Sequence, residues 1–128
     1  MKKIILLTGA FYGFLSVILG AFGSHLLKRV LSSEKIQVFD IGVKNQMYHA
    51  LVLLFIGMFF PFSNALQKSM GYAFIIGVFL FSFSIYGLVF ADKFNYSKTF
   101  LGPVTPIGGF LMIVGWVLLI INLIWYKI

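Results

Sequence analysis

The sequence predicts an all-α membrane protein: four transmembrane helices in a bundle, with a short interfacial amphipathic helix between spans 1 and 2. Three observations predict it. Apolar residues make up 61% of the 128 residues and charged ones 10%, with 16 Phe, whereas soluble domains are nearer half apolar and a quarter charged. A chain this short buries the smaller fraction of its surface on folding, so this much apolar surface calls for lipid as its solvent. Apolar runs also recur at lengths that suit spanning helices of about 20 residues. Lipid then leaves only helices or closed barrels, because every backbone polar group must be satisfied internally. Residues 1–128 therefore read as one four-span membrane domain.

The first span is expected at 4–27, behind Met1-Lys2-Lys3. Its apolar run exceeds the roughly 7–15 residues of a signal-peptide core and reads as an uncleaved helix. Gly9, Gly13, Gly20 and Gly23 form a small-residue face that admits another helix closely, which motivates a homo-oligomer. Next comes the polar stretch 28–44, with Ser33 as the expected N-cap and Glu34 in the first turn, where the helix dipole favours an acid. Ile36, Phe39, Val43 and Met47 recur at helical spacing opposite Gln37, Asp40 and Lys44, a pattern for a short amphipathic helix in the interface, running into the second span.

The second span is expected at 46–62 and closes at Pro61, and 63–69 is a turn. The third, 70–91, has Ser82, Ser84 and Tyr86 as its mild polar content. In the loop 92–106, Gly102-Pro103 and Thr105-Pro106 are expected to forbid continuous helix. The fourth span, 107–126, opens on Pro106 and Gly108-Gly109, carries Trp116 in its middle, and ends on Trp125-Tyr126, where an aromatic belt belongs.

Four spans put both termini and the 63–69 turn on one side, and the 28–44 and 92–106 segments on the other. The second side collects Glu34, Asp40, Asp92, His25 and Thr105, together with Asn45, Gln46 and His49, which are three and four apart and crowd one helix face. Asn122, near the opposite surface, is the exception. The candidate ligand-binding set is thus His25, Asn45, Gln46, His49, Tyr86, Asp92, Pro103, Thr105 and Pro106. The polar side holds six Lys/Arg (28, 29, 35, 44, 93, 98) and the other side four (2, 3, 68, 127), so positive-inside counting leans to a cytoplasmic polar side, with Lys2 and Lys3 counting the other way.

Several chemistries are excluded or left without support. There is no cysteine, which removes disulfides, thiolate metal sites and cysteine nucleophiles. His25 and His49 suggest a proton-handling or ligand-binding pair, or two interfacial histidines that bond backbone carbonyls. A metal needs a third ligand, and none stands at a recognised spacing, so no metal or cofactor is expected. No nucleophile elbow, phosphate loop or zinc-hydrolase motif occurs; no catalytic residue is assigned and a non-enzymatic protein is expected. The net charge of +7 has no basic stripe or reading motif for nucleic acid, and membrane lipid headgroups are the expected partner.

Four stretches carry a family resemblance: Gly20-Ala-Phe-Gly-Ser-His25, Gln46-Met-Tyr-His-Ala-Leu51, Phe83-Ser-Ile-Tyr86 and Leu101-Gly-Pro-Val-Thr-Pro-Ile-Gly-Gly109, the last completed by Gly115-Trp116. Together they resemble the DUF423 family of small membrane proteins over nearly the whole chain. Ser24 stands where the family tends to have Ala, and the 83–86 stretch is a looser version of a Gly-Ser-Leu-Tyr-like one. The resemblance implies an integral membrane protein with several spans and no settled biochemical role, so it supplies no catalytic residues. Matching positions include His25, Gln46, His49, Tyr86, Pro103, Thr105 and Pro106. The expected function is a multi-pass cell-membrane protein whose polar pocket binds a lipid or small ligand or supports a partner membrane protein. The alternative is a small proton-coupled transporter using His49 and His25.

Overall fold

The computed structural model describes residues 1–91 and 93–126, Ser24 by its backbone alone. Helix α1 (Lys2–Ile18) runs through a π-helical turn (Leu19–Gly23) into the short α2 (Ser24–Leu27), making one long, bent N-terminal rod. Then follow α3 (Ser33–Phe59), α4 (Ala65–Phe90) and α5 (Val104–Trp125). Among the described residues, the rod Lys2–Leu27 and helices α4 and α5 are long and apolar enough to cross a membrane. Helix α3 is 27 residues long, or about 40 Å, and its first half is polar. The amphipathic segment and the second apolar run are therefore one unbroken helix.

The helix ends follow local chemistry. Ser32 caps α3 by accepting the Lys35 N–H at 3.3 Å, one residue before the expected cap. The helix stops at Phe60, ahead of Pro61, which has no N–H to continue it. Asn64 caps α4, accepting from Gln67 N at 2.9 Å, while Gln67 Oε1 accepts from Ser63 N at 3.2 Å. Helix α5 begins at Val104, so Thr105-Pro106 lies inside its first turn. The expectation that this pair keeps the chain out of helix is corrected here: first-turn N–H groups have no intrahelical acceptor, so a proline there loses nothing.

The helices pack in sequence: the N-terminal rod on α3, α3 on α4, and α4 on α5. The main core joins Ile5, Ala50, Leu53, Phe74, Val78 and Met112, and a second cluster of Leu31, Phe39, Val43 and Val89 closes the loop end. Phe39 and Val43 belong to the first half of α3, so that half packs on the bundle through its apolar face. Outward-facing Phe11, Phe14, Phe55, Phe79 and Phe110 are all exposed, as lipid contact requires.

Lipid tails are as apolar as leucine, so close packing and interhelical hydrogen bonds hold such a bundle. The glycines of α1 supply the close packing. A Cβ on Gly9 would meet Leu53 Cβ at 3.0 Å and the Ala50 carbonyl at 3.1 Å, and one on Gly23 would meet the Phe39 ring at 3.3 Å. Gly9 is thus buried against α3 of the same chain, while Gly13 and Gly23 are half-buried and Gly20 is exposed.

Candidate functional site

Several of the buried and half-buried polar side chains tie α1, α3 and α4 together by hydrogen bonds. Gln46 is fully buried; its Nε2 donates to the Tyr12 carbonyl at 2.9 Å, and its Oε1 accepts from the Tyr86 hydroxyl at 2.7 Å. The Tyr12 carbonyl also accepts from Ser16 Oγ at 2.8 Å, and the Tyr12 hydroxyl donates to the Ile75 carbonyl at 2.9 Å. Ser82 donates to the Gly42 carbonyl at 2.8 Å. Gly42 is needed there, because a Cβ would stand 2.8 Å from the Tyr86 ring.

His49 ties a different pair of helices. Its Nε2 lies 3.1 Å from the indole Nε1 of Trp116, and its Nδ1 lies 2.7 Å from the carbonyl of Asn45. An indole N–H only donates, so Nε2 must be bare and the proton must sit on Nδ1, facing the carbonyl. This neutral tautomer satisfies both ring nitrogens. The Phe74 ring stands within 5.8 Å of both the His49 and the Trp116 ring, and Gly115 makes room for it.

The predicted site residues occupy several places. Gln46 and Tyr86 meet directly. Asn45 bonds back to the Ile41 carbonyl on its own helix at 2.9 Å. Thr105 Oγ1 meets Ser84 Oγ at 2.5 Å, joining the start of α5 to α4. Pro103 is the N-cap position of α5, and both Pro103 and Pro106 are exposed at that rim. His25 is exposed on α2. Gly23 packs on Phe39 while Gly9 and Gly13 pack on Ala50, so His49 lies about ten residues of α3, or 15 Å, deeper in the bundle than His25. Asp92 lies outside the described residues. Among the described residues no group of three or more His, Cys, Asp or Glu gathers to hold a metal.

Sequence reasoning passed over Tyr12 and Ser16, and read Trp116 only by its depth. Polar residues spaced four apart within apolar spans, Tyr12/Ser16 and Ser82/Tyr86, were the available signal for the first two and their partners. At the surface, Asp40 pairs with Lys44 at 3.0 Å on an exposed face; the hydrogen bond that the ammonium donates to the carboxylate raises the Lys44 pKa.

Open volume lies elsewhere. A groove of about 460 Å³ between α1 and α3 is lined by Gly9, Gly13, Phe14, Val17, Ala50 and Leu54 among others. Another, of about 370 Å³, lies between α4 and the 100–104 segment. Both walls are almost wholly apolar.

The family description "Protein of unknown function (DUF423)" matches residues 19–109. The chain belongs to the DUF423 family. Among its relatives, a UPF0382 membrane protein of Staphylococcus haemolyticus is 38% identical over 94% of each chain. One from Bacillus subtilis is 31% identical over 97% of this chain and 98% of its own. One from Schizosaccharomyces pombe is 35% identical over 88% and 94%. No solved structure matches the chain. This DUF423 protein is a multi-pass membrane protein, and the stretches that carry the resemblance coincide with helix contacts: Gln46, His49, Tyr86, Thr105, Gly108 and Trp116 all bond or pack across helices.

Proposed function

We propose that the protein is a non-enzymatic cell-membrane protein that binds a membrane lipid at the loop-side end of its bundle. The carrying observation is the division between its polar and its open parts. Among the described residues no buried side-chain nitrogen or oxygen lacks a hydrogen-bond partner, while the larger open volumes are apolar grooves on the outer face. In this reading Gln46 and His49 hold the bundle, and Asn45 bonds back to its own helix. Tyr86, Pro103, Thr105 and Pro106 frame the rim with exposed His25 on the same side, and the basic segments 28–44 and 93–98 face the cytoplasm.

Transport through His49 and His25 is the competing reading, and their separation in depth weighs against it. The α1–α3 groove, lined in part by Gly9 and Gly13, is the other usable part of the outer surface, for a second copy or for a partner membrane protein. Native mass spectrometry of gently extracted protein tests the proposal: retained lipid is expected. Bare protein, with pH-driven flux in proteoliposomes that His49→Ala abolishes, would replace it with transport.

A further inference from the structure

We propose that the groove between α4 and the 100–104 segment is a binding site for an anionic phospholipid, with an acyl chain in the groove and the headgroup at the lysines of the loop that leads into it. This rests on the lipid-binding reading and gives it a place and a charge.

The groove is built rather than incidental. Phe79, Phe83 and Ser84 of α4 form one wall, and Phe100, Leu101 and Val104 form the other. Leu101 sits over Gly87, where a Cβ would fall 2.7 Å from its Cδ1. The Tyr96 hydroxyl donates to the Gly87 carbonyl, and Gly102 N–H closes a turn onto the Lys98 carbonyl at 2.8 Å. The Ser84–Thr105 hydroxyl pair pins the start of α5 beside it. Three contacts therefore hold the second wall against α4, and a turn within the loop shapes it.

Polarity selects the occupant. The groove, about 370 Å³ and lined almost wholly by apolar side chains, matches an acyl chain in polarity. Phe79 and Phe100 are 55% and 79% exposed, which leaves the groove open towards lipid. Ser84 is the one hydroxyl residue among its described lining, and it is bonded to Thr105. The loop that leads into this wall, residues 93–103, carries Lys93 and Lys98 and no acid, with Asp92 just before them. The loop side as a whole holds six basic residues against three acids, one of which, Asp40, already pairs with Lys44. An amphiphile with an apolar chain and an anionic headgroup matches both groove and loop.

The test uses the full chain in phosphatidylethanolamine vesicles doped with phosphatidylglycerol or phosphatidylcholine, each with a photoactivatable acyl chain. The glycerol probe is expected to label 79–84 and 100–104 about thirtyfold more than the choline probe, the preference that two basic residues near a headgroup supply at about 1 kcal/mol each. Lys93→Glu with Lys98→Glu is expected to erase that preference, and Val104→Trp to suppress labelling there by either probe. Should Val104→Trp fail to fold, the exposed lysine variant decides alone. Equal labelling by the two probes, or labelling centred on the α1–α3 groove, overturns the site. If native spectra still show retained lipid in that event, lipid binding stands and only its place and charge are lost; no retained lipid removes both.

Discussion

Trp116 on α5 donates its indole N–H to His49 Nε2 on α3 at 3.1 Å, although the two helix backbones share no close approach. The bond crosses the side of α4 and, with the Phe74 ring beside it, joins helices that would otherwise touch only α4 between them at this depth. It also fixes the imidazole as the Nδ1–H tautomer. Nitrogen NMR of labelled His49 should show a protonated Nδ1 and a bare Nε2. Trp116→Phe, which keeps an aromatic ring for the edge-on contacts with His49 and Phe74 and removes the donor, should lower stability by about 0.6–1.7 kcal/mol, from the average to the maximum found for interhelical hydrogen bonds in membranes. An Nε2–H tautomer would contradict the assignment.

Gln46 and Tyr86 should be energetically coupled. Gln46→Met conserves volume but strands the Tyr86 hydroxyl; Tyr86→Phe removes that hydroxyl and leaves Gln46 Oε1 unmet. The double variant should recover about 1 kcal/mol of the summed losses in reversible denaturation. Simple additivity would mean that the bond contributes nothing.

The two adjacent glycines at the start of α5 should behave differently. A Cβ on Gly108 would lie 2.3 Å from the Phe81 backbone nitrogen and 2.8 Å from the Gly77 carbonyl, and backbone cannot step aside. On Gly109 the nearest atom is the Phe81 ring at 3.6 Å, an ordinary contact. Gly108→Ala should therefore cost at least the roughly 1–3 kcal/mol typical of overpacking, and Gly109→Ala next to nothing, as read by the thermal midpoint in detergent.

The exposed Asp40–Lys44 pair supplies a contrast. The ammonium pKa is raised, so whatever the pair contributes is present below the ordinary lysine pKa and fades as pH climbs through the raised value. Exposed pairs are screened and entropically opposed. Asp40→Asn should leave the thermal midpoint unmoved at neutral pH and in high salt, in contrast to Gln46→Met.

Much of this arrangement was legible in the sequence because it depends on counting. Composition and run length point to an all-helical membrane fold, and the parity of the spans places Gln46 with Tyr86, and Ser84 with Thr105, at matching levels. Rotation about each helix axis is not a matter of counting. It buries Gln46 while leaving His25 exposed, and it turns His49 towards Trp116. The run of the amphipathic segment into the second span was legible too; which helices it meets was not, and Gly42, Gln46 and His49 contact α4, α1 and α5. Pro106 misleads for a positional reason, since a residue that stops a helix from within is harmless in its first turn.

The central claim is that the inner polar residues bind helices to one another while ligand binds on the outer face. Lipid occupancy of Gln46→Met, counted by native mass spectrometry below its lowered melting temperature, tests it most directly. The occupancy should equal that of the unsubstituted protein. A folded variant stripped of lipid, with its melting temperature intact, would show that Gln46 belongs to the ligand's site and contradict the account.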